Sequence, residues 1–262
     1  MTTEIEFVKM TAQGNNYIYL DNRGLSYANL DFNALSIAIS DIRFGIGSDG
    51  LVVIDSDRTA DCLMRIFNSD GSEAKMCGNA LRCVAYLMTK ESKRSMISIN
   101  TLSGVKTAEV DTLLNSVRVN MGIPKLVKKY TSDSLTGNII DIGNQHLVLN
   151  QRESLMSRIQ FLELAEDKQN SSDFPDGINI ELIEIIDRKR IKAIVYERGS
   201  GLTYACGSGA TALFWDCYQN GLVDDTVMIK LDGGEVKVSL ENNNVILEGE
   251  VGHICTGTFY WS

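Results

Sequence analysis

The chain has 262 residues, 44% of them hydrophobic and 23% charged, which suits a globular protein of two domains with real cores. Its net charge of −9 argues against a surface for nucleic-acid phosphates or an anionic membrane, and no apolar run is long enough to span a bilayer. Six cysteines without a CxxC pair, only two histidines and no signal-peptide pattern favour free cytoplasmic thiols and no metal site.

The first half of the chain alternates short strands with two helical stretches. Residues 13–16, Gln-Gly-Asn-Asn, form a predicted turn. The glycine-rich segment 45–50 is read as a loop into a strand, because it has neither a P-loop lysine nor the GxGxxG spacing. Helices are predicted at 29–40 and 80–88. Strands are predicted at 5–10, 17–21, 51–55, 63–68, 97–100, 106–110 and 116–120.

The second half follows the same plan after a crossing near Pro124. Helices are predicted at 155–164 and 210–218. Strands are predicted at 139–141, 147–149, 178–186, 191–197, 227–231, 236–240 and 245–250. The two stretches 80–88 and 210–218 are apolar nearly all round, which is typical of a buried helix. Many short strands around one such helix in each half indicate a curled sheet that wraps around it.

An internal repeat relates the two halves. Cys77-Gly78 and Cys206-Gly207 each open one of these buried helices, and they are 129 residues apart. The same offset relates Gly14-Asn15 to Gly143-Asn144. We therefore predict a duplicated domain of about 130 residues. One copy spans 1–120 and is completed by 252–262, and the other spans 121–251.

A cysteine just before a helix meets the positive end of the helix dipole and several unpaired N–H groups. Both features are expected to favour the thiolate, and the N–H groups can also bind a carboxylate. One such cysteine is usually a packed core residue. Two at matched positions of a repeat favour a functional role for Cys77 and Cys206, whereas Cys62, Cys83, Cys217 and Cys255 are interpreted as core thiols.

Two opposed thiols suit one particular reaction. Inverting a carbon that bears a hydrogen needs a base on one face and an acid on the other, and a thiolate and a thiol can exchange these roles. Helix N-termini would stabilise the enolate-like charge that develops on an amino-acid carboxylate. Pyridoxal phosphate is the usual alternative for such a reaction, but no phosphate loop or particular lysine stands out in the sequence.

The residues that carry this pattern resemble the diaminopimelate epimerase family. The resemblance covers segments 43–50, 68–79, 143–146 and 197–209, in order and over nearly the whole chain. It implies an α/β fold of the α+β type, with two pseudo-symmetric domains, each a curled, mostly antiparallel sheet around a central helix, and an active site in the cleft between them. It also implies a cofactor-free isomerase that interconverts LL- and meso-diaminopimelate on the route to lysine and peptidoglycan.

The resemblance also implies roles for individual residues. Cys77 and Cys206 are the implied base and acid, and His146 and Glu197 lie near the thiols. Arg198 would hold the distal carboxylate and Glu197 the distal ammonium. The backbone N–H groups of Gly78, Asn79, Gly207 and Ser208 would hold the reacting carboxylate. Substrate-binding amides are expected at Asn15, Asn68, Asn144 and Asn179.

The sequence departs from the family at several positions. Segment 11–16, Thr-Ala-Gln-Gly-Asn-Asn, replaces the usual His-Gly-Leu-Gly-Asn-Asp. Gln145 stands where proline is usual, Leu202 where glutamate is common, and 252–255 lacks the usual Gly-Pro-Ala. These changes bear on loop geometry and substrate fit.

Three other functions are alternatives to the hypothesis of a diaminopimelate epimerase. The runner-up is a racemase of the same fold that acts on proline, hydroxyproline or another amino acid, but it would not need Glu197 and Arg198. A thiol–disulfide oxidoreductase would normally carry an exposed CxxC, and a non-catalytic binding protein would not need both thiols. The expected partner is a small-molecule amino-acid substrate, with a homodimer as a further expectation. The sequence does not assign a face to either thiol.

Overall fold

The computed structural model describes residues 2–132, 135–151 and 156–261. The first residue of the helix predicted at 155–164 therefore lies outside the described residues, as do the ends of the predicted domains at positions 1 and 262. No helix in the described ranges is long and apolar enough to cross a membrane. The helices are α1 (Phe32–Ser40), α2 (Gly78–Ser92), α3 (Arg158–Gln169) and α4 (Gly207–Gln219).

Strands make up most of the described structure. Those before residue 125 are β1 (Thr3–Ala12), β2 (Asn15–Asp21), β3 (Gly50–Asp55), β4 (Cys62–Asn68), β5 (Glu73–Ala74), β6 (Met96–Asn100), β7 (Lys106–Asp111) and β8 (Ser116–Gly122). Those that follow are β9 (Lys125–Ser132), β10 (Leu135–Asp141), β11 (Gln145–Asn150), β12 (Asn179–Asp187), β13 (Arg190–Glu197), β14 (Gly201–Thr203), β15 (Thr226–Leu231), β16 (Gly234–Glu241), β17 (Asn244–Glu250) and β18 (Gly252–Trp261).

The chain forms two compact units. Unit 1 consists of Met1–Val119 with Gly249–Ser262, and unit 2 consists of Asn120–Glu248. In unit 1, β1 pairs antiparallel with β2 and with β18, and the ladder continues through antiparallel β3–β4, β4–β5, β6–β7 and β7–β8 pairs. Only β2–β3 and β4–β6 are parallel among the pairs described for this unit.

Unit 2 repeats this pairing strand for strand. The antiparallel pairs are β9–β10, β10–β11, β12–β13, β13–β14, β15–β16 and β16–β17. The parallel pairs β11–β12 and β13–β15 correspond to β2–β3 and β4–β6. The predicted mixed fold of two repeated domains, each with a mostly antiparallel sheet, is thereby confirmed.

Each sheet buries both of its faces. In unit 1, α1 packs on β3 and β4 through a cluster that includes Leu35, Ile18 and Leu51, whereas α2 packs on β1, β2, β6 and β7. Successive strand residues point to opposite faces, and Tyr19 and Val52 beside that cluster are buried as well. In unit 2, α3 covers one face, and α4 packs on β10, β11, β12 and β16.

The buried helices begin where the cysteines predict and extend further than their apolar runs. α2 and α4 both start at the glycine that follows the cysteine. α1 begins later than the predicted residue 29, because Asp31 caps it by accepting hydrogen bonds from the N–H groups of Asn33 and Ala34. Strands β9 and β18 were not predicted as strands.

Candidate active site

The two cysteines occupy the same position in the two units. Each is the N-cap residue of its helix, with extended backbone angles, and its carbonyl accepts the first helical hydrogen bond, from Leu81 or from Ala210. The N–H groups of the first helical residues have no carbonyl within the helix to bond. Gly78, Asn79, Gly207 and Ser208 therefore present backbone donors at the predicted positions.

In unit 1, an amide cluster surrounds Cys77. Its Sγ lies 3.6 Å from Oδ1 of Asn15, which also accepts a hydrogen bond of 3.4 Å from Nδ2 of Asn79. Asn15 Nδ2 in turn donates to Oδ2 of Asp49 at 2.8 Å. Asp49 thus orients the Asn15 amide so that its oxygen faces the thiol and its nitrogen faces away.

A buried cation lies behind this cluster. The Arg82 side chain is fully buried, and its Nη2 donates to Asn79 Oδ1 at 2.7 Å and also to Gln13 Oε1. Burial lowers the pKa of Arg82, and electrostatic attraction to Cys83 and Cys77 opposes this. Gln13, which departs from the family pattern, is therefore linked through Arg82 to Asn79 in the first turn of α2.

In unit 2, the surroundings of Cys206 are more acidic. Its sulfur lies 3.3 Å from Ser208 Oγ and accepts a hydrogen bond of 3.4 Å from the Gly209 N–H. Burial first, then the charges of Glu197 and Glu181, raise the pKa of the Cys206 thiol well above its usual value, and the two hydrogen bonds only partly oppose this. The N–H group of Gly209 at the helix N-terminus lowers the pKa of this thiol, as expected, but burial and the two carboxyl groups outweigh its effect.

Glu197 lies at the end of β13 and faces the thiol. Its Oε1 accepts a hydrogen bond of 2.6 Å from Thr203 Oγ1. Burial raises the pKa of Glu197, whereas hydrogen bonds from Thr203 and Cys206 and the nearby His146 lower it. A carboxylate in this setting can accept a proton from the thiol or return it.

His146 and Asn144 lie close to this group. His146 is fully buried, and its Nε2 lies 3.3 Å from Asn144 Oδ1. Its Nδ1 lies 2.6 Å from Oε1 of Glu181, another fully buried side chain. The structure thus gathers Asn144, His146, Glu181 and Glu197 around the N-terminus of α4.

Arg198 is placed by a buried asparagine. Asn179 donates from Nδ2 to the Gln145 carbonyl at 2.8 Å, and its Oδ1 accepts from the Arg198 N–H at 3.1 Å. The Asn179 amide is thus engaged with the backbone. The Arg198 side chain is exposed, and none of the described carboxylates forms an ion pair with it. Its guanidinium can therefore receive an external carboxylate.

Asn68 lies opposite Gly50, the residue after Asp49, in the pairing of β3 with β4. It ends β4, and its Nδ2 donates to Ser72 Oγ at 3.0 Å within the turn that follows. The Ser36 hydroxyl donates to the Asn68 carbonyl at 2.8 Å, which fixes the backbone there. The substrate-binding roles of Asn68 and Asn179 stay predictions.

The remaining cysteines are not alike. Cys62 and Cys83 are buried, and burial raises the pKa of each thiol to about 12. Cys217 is buried too, and burial raises the pKa of its thiol. These three are core thiols, as predicted. Cys255 is only partly buried and packs on the margin of the α1 core, so its assignment as a core thiol is wrong.

Three residues at these clusters were absent from the predicted site. Glu181 could have been noticed, because a charged residue in an otherwise apolar strand is rarely buried without a partner. Asp49 lies in the glycine-rich segment, which was interpreted only as a loop. Arg82 could have been noticed for the same reason as Glu181, because it is the one charged residue in a stretch, 80–88, that predicts a buried helix.

Solved structures share this fold. A phenazine biosynthesis protein of the PhzF family from Bacillus anthracis is 13% identical, with a TM-score of 0.74 over 98% of this chain and 99% of that one. A hydroxyproline epimerase from Agrobacterium vitis, with bound trans-4-hydroxy-L-proline, is 13% identical with a TM-score of 0.72 over 98% and 92%. The fold and the paired N-cap cysteines therefore define a duplicated two-domain protein of the architecture seen in these structures.

Sequence comparison identifies the family. The model of the diaminopimelate epimerase family matches residues 7–127 and 138–254. Proteins named diaminopimelate epimerase are 36% identical in Methanococcus maripaludis strain C5, over 97% of this chain and 99% of the relative, and 33% identical in Bacillus pumilus, over 98% and 99%. The chain belongs to the diaminopimelate epimerase family, whose named members are isomerases.

Proposed function

We propose that this protein inverts one α-carbon of LL-diaminopimelate to give meso-diaminopimelate, with Cys77 and Cys206 as the acid–base pair. The observation that carries the proposal is the pair of N-cap cysteines at equivalent positions of the two units. Family membership supports the substrate, since the relatives matched over nearly their full length bear the name of that epimerase.

The reaction needs one thiolate and one thiol. In the direction that uses Cys206 as the acid, the Cys77 thiolate removes the α-proton, and the electron pair is delocalised into the substrate carboxylate. The Cys206 thiol then delivers its proton to the opposite face of the carbon, which leaves Cys77 protonated and Cys206 as thiolate. The reverse direction exchanges the roles, and transfer to solvent resets the pair.

The first turns of α2 and α4 lower the barrier to this step. The carboxylate gains negative charge as the proton leaves, and backbone N–H groups at a helix N-terminus are preorganised to stabilise it. Removing one such donor typically costs about 100-fold in rate. The proposal uses only the chain's own groups for the chemistry.

The distal end of the substrate distinguishes this function from that of other racemases. Diaminopimelate carries a second ammonium and a second carboxylate, and the exposed guanidinium of Arg198 suits the carboxylate. Glu197 contacts Thr203 and Cys206. We therefore propose proton exchange with the Cys206 thiol as its main role, and binding of the distal ammonium as its second role. A racemase of proline or hydroxyproline would not need Arg198.

The decisive assay mixes purified protein with LL-diaminopimelate, proline, hydroxyproline and other amino acids, and follows each by chiral chromatography. We expect inversion of diaminopimelate alone, unchanged by hydroxylamine, which removes pyridoxal phosphate. Cys77→Ala and Cys206→Ala should each abolish inversion without loss of fold, and Cys255→Ala should retain it. Full activity in either of the first two variants, or turnover of proline instead, contradicts the proposal.

The reaction places the protein in the route to lysine and peptidoglycan precursors. All six cysteines are free thiols, which supports a reducing compartment and hence the cytoplasm. Fractionation of the source cells with detection of the protein tests this location. The homodimer stays a prediction, and sedimentation of the purified protein tests it.

A further inference from the structure

Because the chain is an internal repeat, each residue around Cys206 in unit 2 can be compared with the residue 129 positions earlier in unit 1. Three positions that are buried in both units differ in chemistry between them. Unit 1 has Tyr17, Val52 and Ala80. The positions 129 residues later in unit 2 hold His146, Glu181 and Gly209. Since the fold is shared, these differences are not required by the architecture.

Glu181 depends on His146 for its hydrogen bonding. Both side chains are fully buried, and Nδ1 of His146 lies 2.6 Å from Oε1 of Glu181. Oε2 of Glu181 has no hydrogen-bond partner among the described residues. The other ring nitrogen faces an oxygen too, at 3.3 Å on Asn144. A proton must lie between Nδ1 and Oε1 for their contact to be a hydrogen bond, so His146 donates to the Glu181 carboxylate.

Gly209 leaves room for this pair beneath the first turn of α4. A methyl group at Gly209 would lie 2.5 Å from Oε1 of Glu181, and 3.3 Å from Cβ of Cys206. The Glu181 carboxyl group thus faces the helix turn that carries the thiol. The titratable groups that face it are His146 from β11, Glu197 from β13 and Cys206 from α4.

We propose that Glu181 is a positioning residue for the acid–base chemistry of Cys206. It shares a proton with His146, holds the imidazole so that Nε2 faces Asn144, and keeps Cys206 in the thiol form through its negative charge. This inference rests on the proposed function for its catalytic consequence, although its structural content can be measured on the protein without substrate.

The first experiment needs no variant. The chain has two histidines, so the imidazole ¹⁵N and ¹H spectrum of histidine-labelled protein contains only His146 and the exposed His253. We expect a strongly downfield, exchange-protected proton at Nδ1 of His146, as a short hydrogen bond to a carboxyl group produces. Glu181→Gln should move this proton upfield, because a neutral amide oxygen accepts more weakly. An Nδ1 of His146 without such a proton in the wild type overturns the proposal.

The second experiment measures the thiol. Alkylation of Cys206 by iodoacetamide, quantified by peptide mass spectrometry across pH, reports its ionisation. In Glu181→Gln, the rise in alkylation should begin on the order of one pH unit lower than in the wild type, because a negative charge has been removed. Glu181→Asp should retain most of the wild-type profile. Glu184→Gln is the matched control, since Glu184 lies exposed on the same strand, and its profile should not move.

The third experiment measures whether Glu181 affects catalysis. In Glu181→Gln, we expect kcat to fall about tenfold with little change in KM. A lower pKa of the Cys206 thiol should move the alkaline limb of kcat/KM to lower pH in both directions alike, because an enzyme cannot change the equilibrium constant of its reaction. An unmoved alkaline limb of kcat/KM, or an unmoved alkylation profile, overturns the proposal. If no substrate turns over but the spectrum and alkylation behave as stated, the proposed function fails and the Glu181 assignment stands.

Discussion

At the residue scale, the structure distinguishes two thiols that the sequence presents as equivalent. Arg82, a buried cation, interacts electrostatically with Cys77 in unit 1. Threonine occupies the corresponding position 211 in unit 2, where the carboxyl groups of Glu181 and Glu197 raise the pKa of Cys206. A symmetric pair of folds thus carries an asymmetric pair of charge environments, which suits a reaction that needs one base and one acid.

The role of Arg198 can be tested by Arg198→Lys. Lysine keeps the positive charge but loses the planar pair of donors that binds both oxygens of a carboxylate. We expect KM to rise about tenfold, with a smaller change in kcat and an unchanged melting temperature. Arg190→Lys is the control, because Arg190 lies exposed at the start of β13, the strand that Arg198 follows, and pairs with Asp187. Steady-state kinetics of both variants decide the matter, and a KM within twofold of wild type removes Arg198 from the site.

The buried thiols make a prediction about stability at alkaline pH. Burial raises the pKa of Cys62 from 9.0 to about 12. A raised pKa in the folded state means that the unfolded chain releases this proton first, so stability falls as pH rises from about 9 towards 12. In Cys62→Ala, the fall should be shallower by up to about 1.4 kcal/mol per pH unit. Urea unfolding at about pH 8 and pH 10 measures it, and identical slopes in both proteins contradict it.

Site residues could be predicted from the sequence where the residues next to them in the chain form a recognisable pattern. Cys77 and Cys206 were identifiable because each stands between a turn and an apolar helix, and because the offset repeats. Glu181 and Asp49 act through contacts that are distant in sequence, namely with His146 and Asn15. Such contacts exist only once strands are aligned, so a single sequence can mark Glu181 as unusual but cannot identify its partner.

At the element scale, elements with a buried apolar face were predicted well, and exposed edge elements were not. The helices α2 and α4 and the central strands all appear near their predicted bounds. Strand β9 was missed because its side chains are mostly exposed and include three lysines, which leaves no alternation of apolar and polar residues. Lysine-rich edges of this kind protect a sheet from pairing with other chains.

The contact between β12 and α4 predicts a non-additive pair of substitutions. Gly209→Ala places a methyl group 2.5 Å from Glu181 Oε1, so we expect a loss of about 1–3 kcal/mol. Glu181→Val together with Gly209→Ala recreates the Val52 and Ala80 pair of unit 1, and the added cost of Gly209→Ala should then largely disappear. Ala80→Gly is the control for the loss of helix propensity alone, about 1 kcal/mol. Chemical denaturation of the wild type, the single variants Gly209→Ala and Glu181→Val, the double variant and the Ala80→Gly control tests this, and strictly additive costs exclude the contact.

At the scale of the whole molecule, the repeat runs through every strand. Adding 129 to the bounds of β9 gives 254–261, which lies within β18, and both strands pair antiparallel with the first long strand of a unit. The chain is therefore a duplication in which the last strand occupies in unit 1 the place that β9 has in unit 2. Sequence reasoning detected the duplication, but it did not assign β9 and β18 to matching places, because that requires the pairing itself.

A duplication with one N-cap thiol per copy makes a prediction about isotopes. Suppose that the reaction runs in heavy water from unlabelled LL-diaminopimelate. One thiolate removes protium, and the other thiol, already exchanged with solvent, delivers deuterium. Early product should therefore carry deuterium at the inverted carbon, while recovered substrate stays nearly unlabelled.

A single base that served both faces would give a different result. It would return label to substrate and product alike, or carry the original protium into the product. Mass spectrometry of both isomers at low conversion separates these cases, and the same protein assayed in light water is the control. Comparable label in recovered substrate, or protium in early product, would mean that Cys77 and Cys206 do not act as two separate proton carriers. In that case, the duplication of the N-cap cysteine would have to serve the structure of the helices and not the inversion itself.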